Sequence, residues 1–260
     1  MPVGHREWIA SLRDSHDHLV SVVESLSPEQ LRGASYCGDW TVAQVLSHIG
    51  SSGEIGLASL SAVVAGDPPP PRESYQEIWA RWNALSPEEM AAQGLASDEA
   101  YLEKFESLDD PTLDSLRIPS FGGDVDVSGA VANRLGEHVL HTWDVEVSNN
   151  PQAVLQSGPT EILSERFAER IPRMARGEKP AAAPTKLDVT TSEPTRRFAI
   201  TIGEEVLSAE PGSGAATLVI PAEAMMRLSF GRLDPAHTPP GTAVEGPISL
   251  DELRALFPGY

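Results

Sequence analysis

A single cysteine occurs in 260 residues, which excludes an internal disulfide framework and fits a reducing, cytoplasmic setting. Basic residues are scarce: 19 Lys and Arg stand against 38 Asp and Glu, a net charge of −19. That balance argues against a nucleic-acid partner, whose backbone calls for a basic face, and against an anionic membrane surface. No apolar run approaches the length that crosses a bilayer. The opening stretch MPVGHREWIASLRDSHDHLV carries charges within its apolar pattern and does not read as a signal peptide. No internal repeat, Ser-His-Asp set, phosphate loop or nucleotide fingerprint stands out. A hydrophobic fraction of 40% is enough for real cores, and the length suits one large domain or two modest ones. The expected partners are therefore small molecules, with the chain a monomer or small homo-oligomer.

The stretch from Arg134 to Asp144 reads as a helix. Val131, Leu135, Val139 and Thr142 recur at helical spacing, and Ser128 stands where an N-cap belongs. Glu137 and His141 are four apart, which puts them on one side of that helix with Cβ atoms about 6 Å from each other. A carboxylate and an imidazole so placed can share a divalent metal, although such pairs are more often surface pairs without one. A third ligand must come from elsewhere, and His48 in GDWTVAQVLSHIG is the best candidate. Thr41 and Gln44 have capping-box spacing. Val42, Val45, Leu46 and Ile49 form an apolar stripe, with His48 at its edge. Two histidines and one carboxylate around zinc leave a fourth position open, as catalytic zinc sites do. Arg134 and Asp144, one turn before Glu137 and after His141, are placed to hydrogen-bond a ligand's outer atom.

Helices are expected over Val3–Leu26 (Trp8, Leu12 and Leu19 inward, His16 and His18 at the surface or edge), Thr41–Val64 and Ser86–Leu108, the last broken near Gly94. Another is expected over Thr160–Met174. Asp109-Asp110-Pro111 is expected to close the third of these. Cys37 lies in a loop with no basic neighbour in sequence and reads as a small packing residue beside Trp40. IPSFGGDVDV, from Ile118 to Val127, reads as a glycine-containing loop or short hairpin near the metal helix. His138 projects about 100° from Glu137 and reads as packed in the bundle. At Gly177–Pro184 the composition changes to a linker. Beyond it the period shifts toward two, with strands over Lys186–Thr191, Arg197–Ile202, Glu205–Ala209 and Ala216–Ile220, then helices over Pro221–Phe230 and Leu250–Phe257. The fold class expected is α+β: a helical bundle over residues 1–178 and a small α+β domain over 185–260.

The pieces CGDWTVAQVLSHI and RLGEHVLHTWD, in this order, resemble the mycothiol-dependent maleylpyruvate isomerase family of the DinB-like metal-binding four-helix bundles. Cys37, Trp40, Thr41, Val42 and His48 fit that family's first motif, and Arg134, Glu137, His141 and Asp144 its second. The resemblance implies a four-helix bundle followed by a sterol-carrier-like C-terminal domain, a divalent metal such as zinc, and mycothiol as thiol cosubstrate. It implies an isomerase, or an S-transferase on a small electrophile bearing a carboxylate. In the second domain the family's Gly-Arg pair fits Gly231-Arg232. Arg232 is then a candidate catalytic grip on the substrate carboxylate, with Arg227 as fallback, against the plainer reading of a charge that satisfies a helix C-terminus. Two further functions stay open: a hydrolase using zinc-bound hydroxide, and a non-enzymatic metal- or thiol-binding stress protein.

Overall fold

The structure is a computed structural model that describes residues 3–120 and 123–259. The chain divides into two compact units, Met1–Ala153 and Val154–Tyr260.

The first unit is helical. Its elements are α1 (His5–Glu24), α2 (Pro28–Arg32), α3 (Val42–Ala65), α4 (Tyr75–Asn83), α5 (Pro87–Glu106), α6 (Asp110–Ser115) and α7 (Val127–Glu146). The long helices α1, α3, α5 and α7 form the four-helix bundle. The capping box expected at Thr41 and Gln44 forms, and Ser27 and Ser86 close capping boxes with Gln30 and Glu89 respectively. The cap of α7 is Asp126, whose side chain accepts from Gly129 N–H, and not Ser128, which lies inside the first turn. A carboxylate at that position also complements the positive end of the helix.

Gly94 does not break α5. It marks the place where α3 and α5 press together: a Cβ on Gly94 would lie 2.6 Å from the Leu46 carbonyl oxygen, and one on Gly50 2.7 Å from Gly94 Cα. Asp109 ends nothing; it caps α6, accepting from Thr112 N–H, a helix that sequence periodicity was too short to reveal. Of the expected loop or short hairpin, Ile118 and Val125 form an antiparallel bridge with backbone hydrogen bonds of 2.8 and 2.9 Å, and Phe121 and Gly122 lie outside the described residues.

The second unit holds a five-stranded sheet in the order β3-β2-β1-β4-β5. Its strands are β1 (Thr185–Ser192), β2 (Arg197–Ile202), β3 (Val206–Ala209), β4 (Ala216–Pro221) and β5 (Ala243–Glu245). Only β1 and β4 run parallel. Alternation decides the covered face: Leu187 and Val189 on β1, with Leu218 and Ile220 on β4, are buried while their neighbours are not. The helices of this unit are α8 (Ser157–Ser164), α9 (Phe167–Met174), α10 (Ala222–Ser229) and α11 (Leu250–Leu256). Here two expectations are corrected. The single helix over Thr160–Met174 is two, parted at Glu165-Arg166. Both pieces belong with the sheet, α9 against β2 and β3 and α8 against α10, so the compact helical unit ends near residue 153 and not at 178. Phe167 and Ile171 bury the apolar side of α9.

Candidate metal centre

Helices α3 and α7 bring His48, Glu137 and His141 together. The Glu137 Oε2 atom lies 3.8 Å from His48 Nε2 and 3.5 Å from His141 Nε2. The two imidazole rings meet edge-on, with centroids 4.8 Å apart. Hydrogen bonds of this type are nearer 2.9 Å. Two ligands of a tetrahedral ion with bonds of about 2.0–2.1 Å stand roughly 3.3–3.4 Å apart. The spacing therefore fits three donors around a common cation better than three groups bonded to each other. Glu137 is half exposed and His48 is 35% exposed, so the triangle opens toward solvent; His141 is nearly buried. Trp40, itself 40% exposed, sets its ring 5.4 Å from that of His48 and forms one wall.

Behind His141 stands Asp144, fully buried, with Oδ2 2.9 Å from His141 Nδ1. A proton on Nδ1 directed at this carboxylate leaves Nε2 as the lone-pair atom facing Glu137 and His48. The Cys37 thiol donates to the same Asp144 oxygen at 2.8 Å, and its sulfur is 3.7 Å from His141 Nδ1. Cys37 is thus more than loop packing: the fold supplies the histidine and carboxylate that its sequence neighbours lack.

Electrostatics follow from this arrangement. Burial disfavours charge on His141, but Asp144, Cys37 and Glu137 outweigh it and push the imidazole pKa up to about 10. Burial also opposes ionisation of Glu137, and contacts with His141 and His48 overcome it, so its carboxyl sits below the usual range. Burial holds His48 below the ordinary histidine value. The metal-free centre is an ionised carboxylate between one cationic and one neutral imidazole.

Arg134 does not touch a ligand of this triad. It is 8% exposed and points to a second cluster, where its Nη2 donates to Asp98 Oδ1 at 2.5 Å and to the Ile49 carbonyl at 2.9 Å. Asp98 Oδ2 is also 2.6 Å from His16 Nδ1 and 2.9 Å from His138 Nε2, and Ser15 Oγ is 2.8 Å from His138 Nδ1. All of these groups are buried, including His16 at 4% exposed, which corrects its reading as a surface or edge residue. His18 does stand at the edge, paired with Glu146 at 3.1 Å. His138 is packed in the bundle as expected. The Asp98 cluster has donor types that could also hold a metal. Its distances are those of hydrogen bonds, and Arg134 already neutralises its carboxylate. Asp98 was missed in the sequence, yet Gly94, Asp98, Tyr101, Leu102 and Phe105 recur on the buried face of α5, and a carboxylate inside an apolar stripe is the signal that marks it.

In the second unit, Arg227 is 2% exposed and its guanidinium is held by Glu223 at 2.7 and 2.8 Å and by the His237 carbonyl at 2.8 Å. It is therefore unsuited as a substrate grip. Arg232 follows α10 on the loop after Gly231, where φ is 72°, and its Nη1 donates to the Phe230 carbonyl at 3.0 Å.

Two histidines and a carboxylate gathered at an open edge of a helical bundle, in a chain that also holds a small α+β unit, make a candidate metal site. Residues 12–146, just over half of the chain and all of the site just described, match the model of the mycothiol maleylpyruvate isomerase N-terminal domain, and the chain belongs to that family. Over most of its length the fold matches the crystal structures of the mycothiol-dependent maleylpyruvate isomerase and of a histidine-to-alanine mutant of it. In each comparison 95% of both chains is covered, with a TM-score of 0.69 and 15% identity. A shorter likeness joins 29% of the chain to 43% of a Geobacillus thermodenitrificans protein described as "Putative metal-dependent hydrolase", 32% identical over 76 residues. The chain thus spans less than half of that relative's length. Among the described residues no helix is long and apolar enough to cross a membrane.

Proposed function

We propose that His48, Glu137 and His141 hold one divalent metal, and that the protein is a mycothiol-dependent enzyme that isomerises or conjugates a small electrophile. The observation that carries this reading is the open triangle itself, with Asp144 fixing the outer nitrogen of one ligand, inside the segment that matches the isomerase family. Zinc suits two nitrogen ligands and one carboxylate with a fourth position left over. A metal bound there supplies a Lewis acid that keeps a thiol ionised at neutral pH.

The chain's own residues do the rest. Asp144 orients His141 and accepts its Nδ1 proton. Glu137 is the single carboxylate of the triad, so a divalent ion and its three ligands would carry about +1 charge, with the Asp144 carboxylate buried behind His141 and away from the open position, a local attraction for an anionic thiol in a protein whose net charge is −19. The exposed Trp40 ring offers an apolar face beside the open position. A thiolate adding to a conjugated double bond forms a carbon–sulfur bond and moves the π electrons onto the adjacent carbonyl. Rotation and expulsion of the thiolate give the isomer, whereas protonation at carbon gives the conjugate. Arg232 is our proposed partner for the carboxylate of such a substrate.

The relative described as a metal-dependent hydrolase favours one second reading, in which water takes the thiol's place. Incubating metal-loaded protein with an electrophile panel, with and without mycothiol, and reading products by mass spectrometry tests both. Isomers or thiol adducts that require mycothiol are expected. Hydrolysis products formed equally without it would overturn the thiol reading. Arg232→Met keeps the apolar stem and removes the charge. It is expected to retain metal and fold and to lose turnover, and full turnover would rule out the grip.

A further inference from the structure

Asp98 lies at the junction of the four bundle helices. It is 2% exposed and sits on α5, and it binds His16 on α1 and both Arg134 and His138 on α7. Through Arg134 Nη2 it reaches the Ile49 carbonyl on α3. Two of these links adjoin the metal triad in the chain. Ile49 follows His48, whose own carbonyl accepts from Ser51 and Ser52 at 3.1 and 2.7 Å. His138 follows Glu137, and Arg134 precedes it by one turn.

We propose that Asp98 is a positioning residue for the metal triad: through Arg134 and His138 it sets the rotation of α7 against α3, and so the separation of His48 from Glu137 and His141. This inference rests on the metal reading above. Three features support it. First, the network bridges the two helices that carry ligands and attaches within one residue of a ligand on each. Second, Asp98 is tied at both oxygens: Oδ1 accepts from Arg134 at 2.5 Å, and Oδ2 lies 2.6 Å from His16 Nδ1 and 2.9 Å from His138 Nε2. Parting any of these buried contacts strands a charged or polar group without its partner, which is costly, so the network resists the rotation that would part the ligands. Third, α1 holds α7 beside the triad: Ser15 Oγ lies 2.8 Å from His138 Nδ1, the residue next to Glu137.

A purely structural role would lower stability without altering the metal's surroundings, and the test separates these. Cobalt(II) is titrated into wild type, Asp98→Asn and Leu60→Ala, following the visible ligand-field spectrum. Leu60 is fully buried on α3, about 18 Å along the helix from His48, so its truncation destabilises the same unit away from the triad. Titrations are run where each variant is shown folded by circular dichroism. Asp98→Asn is expected to weaken cobalt binding about tenfold or more and to change band positions or intensities. Leu60→Ala should reproduce the wild-type spectrum and affinity. A wild-type spectrum and affinity in Asp98→Asn, or the same losses in Leu60→Ala, would overturn the proposal while leaving the triad intact. If Asp98→Asn does not fold, Arg134→Lys is read in its place: it keeps the charge and loses the fork that joins Asp98 to Ile49, and the same outcomes decide. No cobalt binding by wild type would be a failure of the metal reading itself, and this inference would fall with it.

Discussion

Glu137 and His138 are adjacent in the chain and belong to two different histidine–carboxylate clusters. Glu137 faces His48 and His141 at 3.8 and 3.5 Å, with half of its side chain in solvent. His138 faces Asp98 at 2.9 Å, fully buried, with Arg134 on the same carboxylate. The residue types are the same, two histidines and one carboxylate. What separates them is distance and counter-charge. In the buried cluster the carboxylate is held at hydrogen-bond distance by both histidines and balanced by a guanidinium, which disfavours a cation there. In the open triangle the groups stand too far apart to satisfy each other and close enough to share an ion. Composition alone cannot tell a ligand set from a structural network; the spacing and the nearby arginine can.

The largest effect expected from breaking this contrast falls on stability. Asp98→Asn leaves the Arg134 charge buried without its counter-ion and should cost about 3–5 kcal/mol in urea unfolding, whereas Glu137→Gln, at a half-exposed position, should stay within about 0.5 kcal/mol. The Asp98 effect has a definite pH dependence. Burial opposes its charge, but His138, Arg134 and His16 hold its carboxyl well below the ordinary range. Its contribution is therefore complete above the unfolded pKa of about 4 and is lost as pH falls through the lower folded value. The gap between wild type and Asp98→Asn should be constant above about pH 5 and narrow below pH 4. A gap that widens on acidification would contradict this assignment.

Asp144→Asn comes next. It removes the carboxylate that orients His141 and should weaken metal binding about 10- to 100-fold in a competition assay with a chromophoric chelator. Unchanged affinity would reduce Asp144 to a buried helix contact. A third effect is the proton cost of loading. With His141 raised to about 10 and His48 lowered, only His141 must lose a proton near neutrality. Metal binding at pH 7 should release about one proton, and the apparent affinity should rise roughly tenfold per pH unit from pH 7 to 9. Calorimetry in buffers of different ionisation enthalpy measures that number, and a value near zero would contradict it. The smallest effect is that of Cys37→Ala, which deletes one hydrogen bond to Asp144, about 1 kcal/mol. A metal affinity within roughly fivefold of wild type is expected; a loss as large as that of Asp144→Asn would make the thiol a ligand in its own right.

Part of the open triangle could be read from the chain: local rules place its residues on helix sides, where spacing alone favours a surface pair, and the resemblance to the isomerase family tips the reading to a ligand set. The i, i+4 pair Glu137/His141 and the capping box at Thr41 fix two helices and the side each ligand faces. The strands were legible for the same reason, since a period of two survives in Lys186–Thr191 and Ala216–Ile220. The closed cluster was not, because Asp98, His16 and Arg134 are 36 to 118 residues apart and meet only once three helices pack. Cys37 packs against the bundle core as expected, but its polar partners, 104 and 107 residues away, were hidden on the same ground. The helices α8 and α9 show the limit from another side. Helix was expected over Thr160–Met174, but where it parts and which core its pieces join is decided by tertiary packing.

The central claim is that the open triangle binds metal and the closed cluster does not. Wild type, His141→Ala and His16→Ala, each shown folded, are equilibrated with excess zinc, freed of unbound ion and assayed for metal per chain. The account predicts about one equivalent in wild type and in His16→Ala, and almost none in His141→Ala. Equal metal in wild type and His141→Ala, or loss confined to His16→Ala, would contradict it.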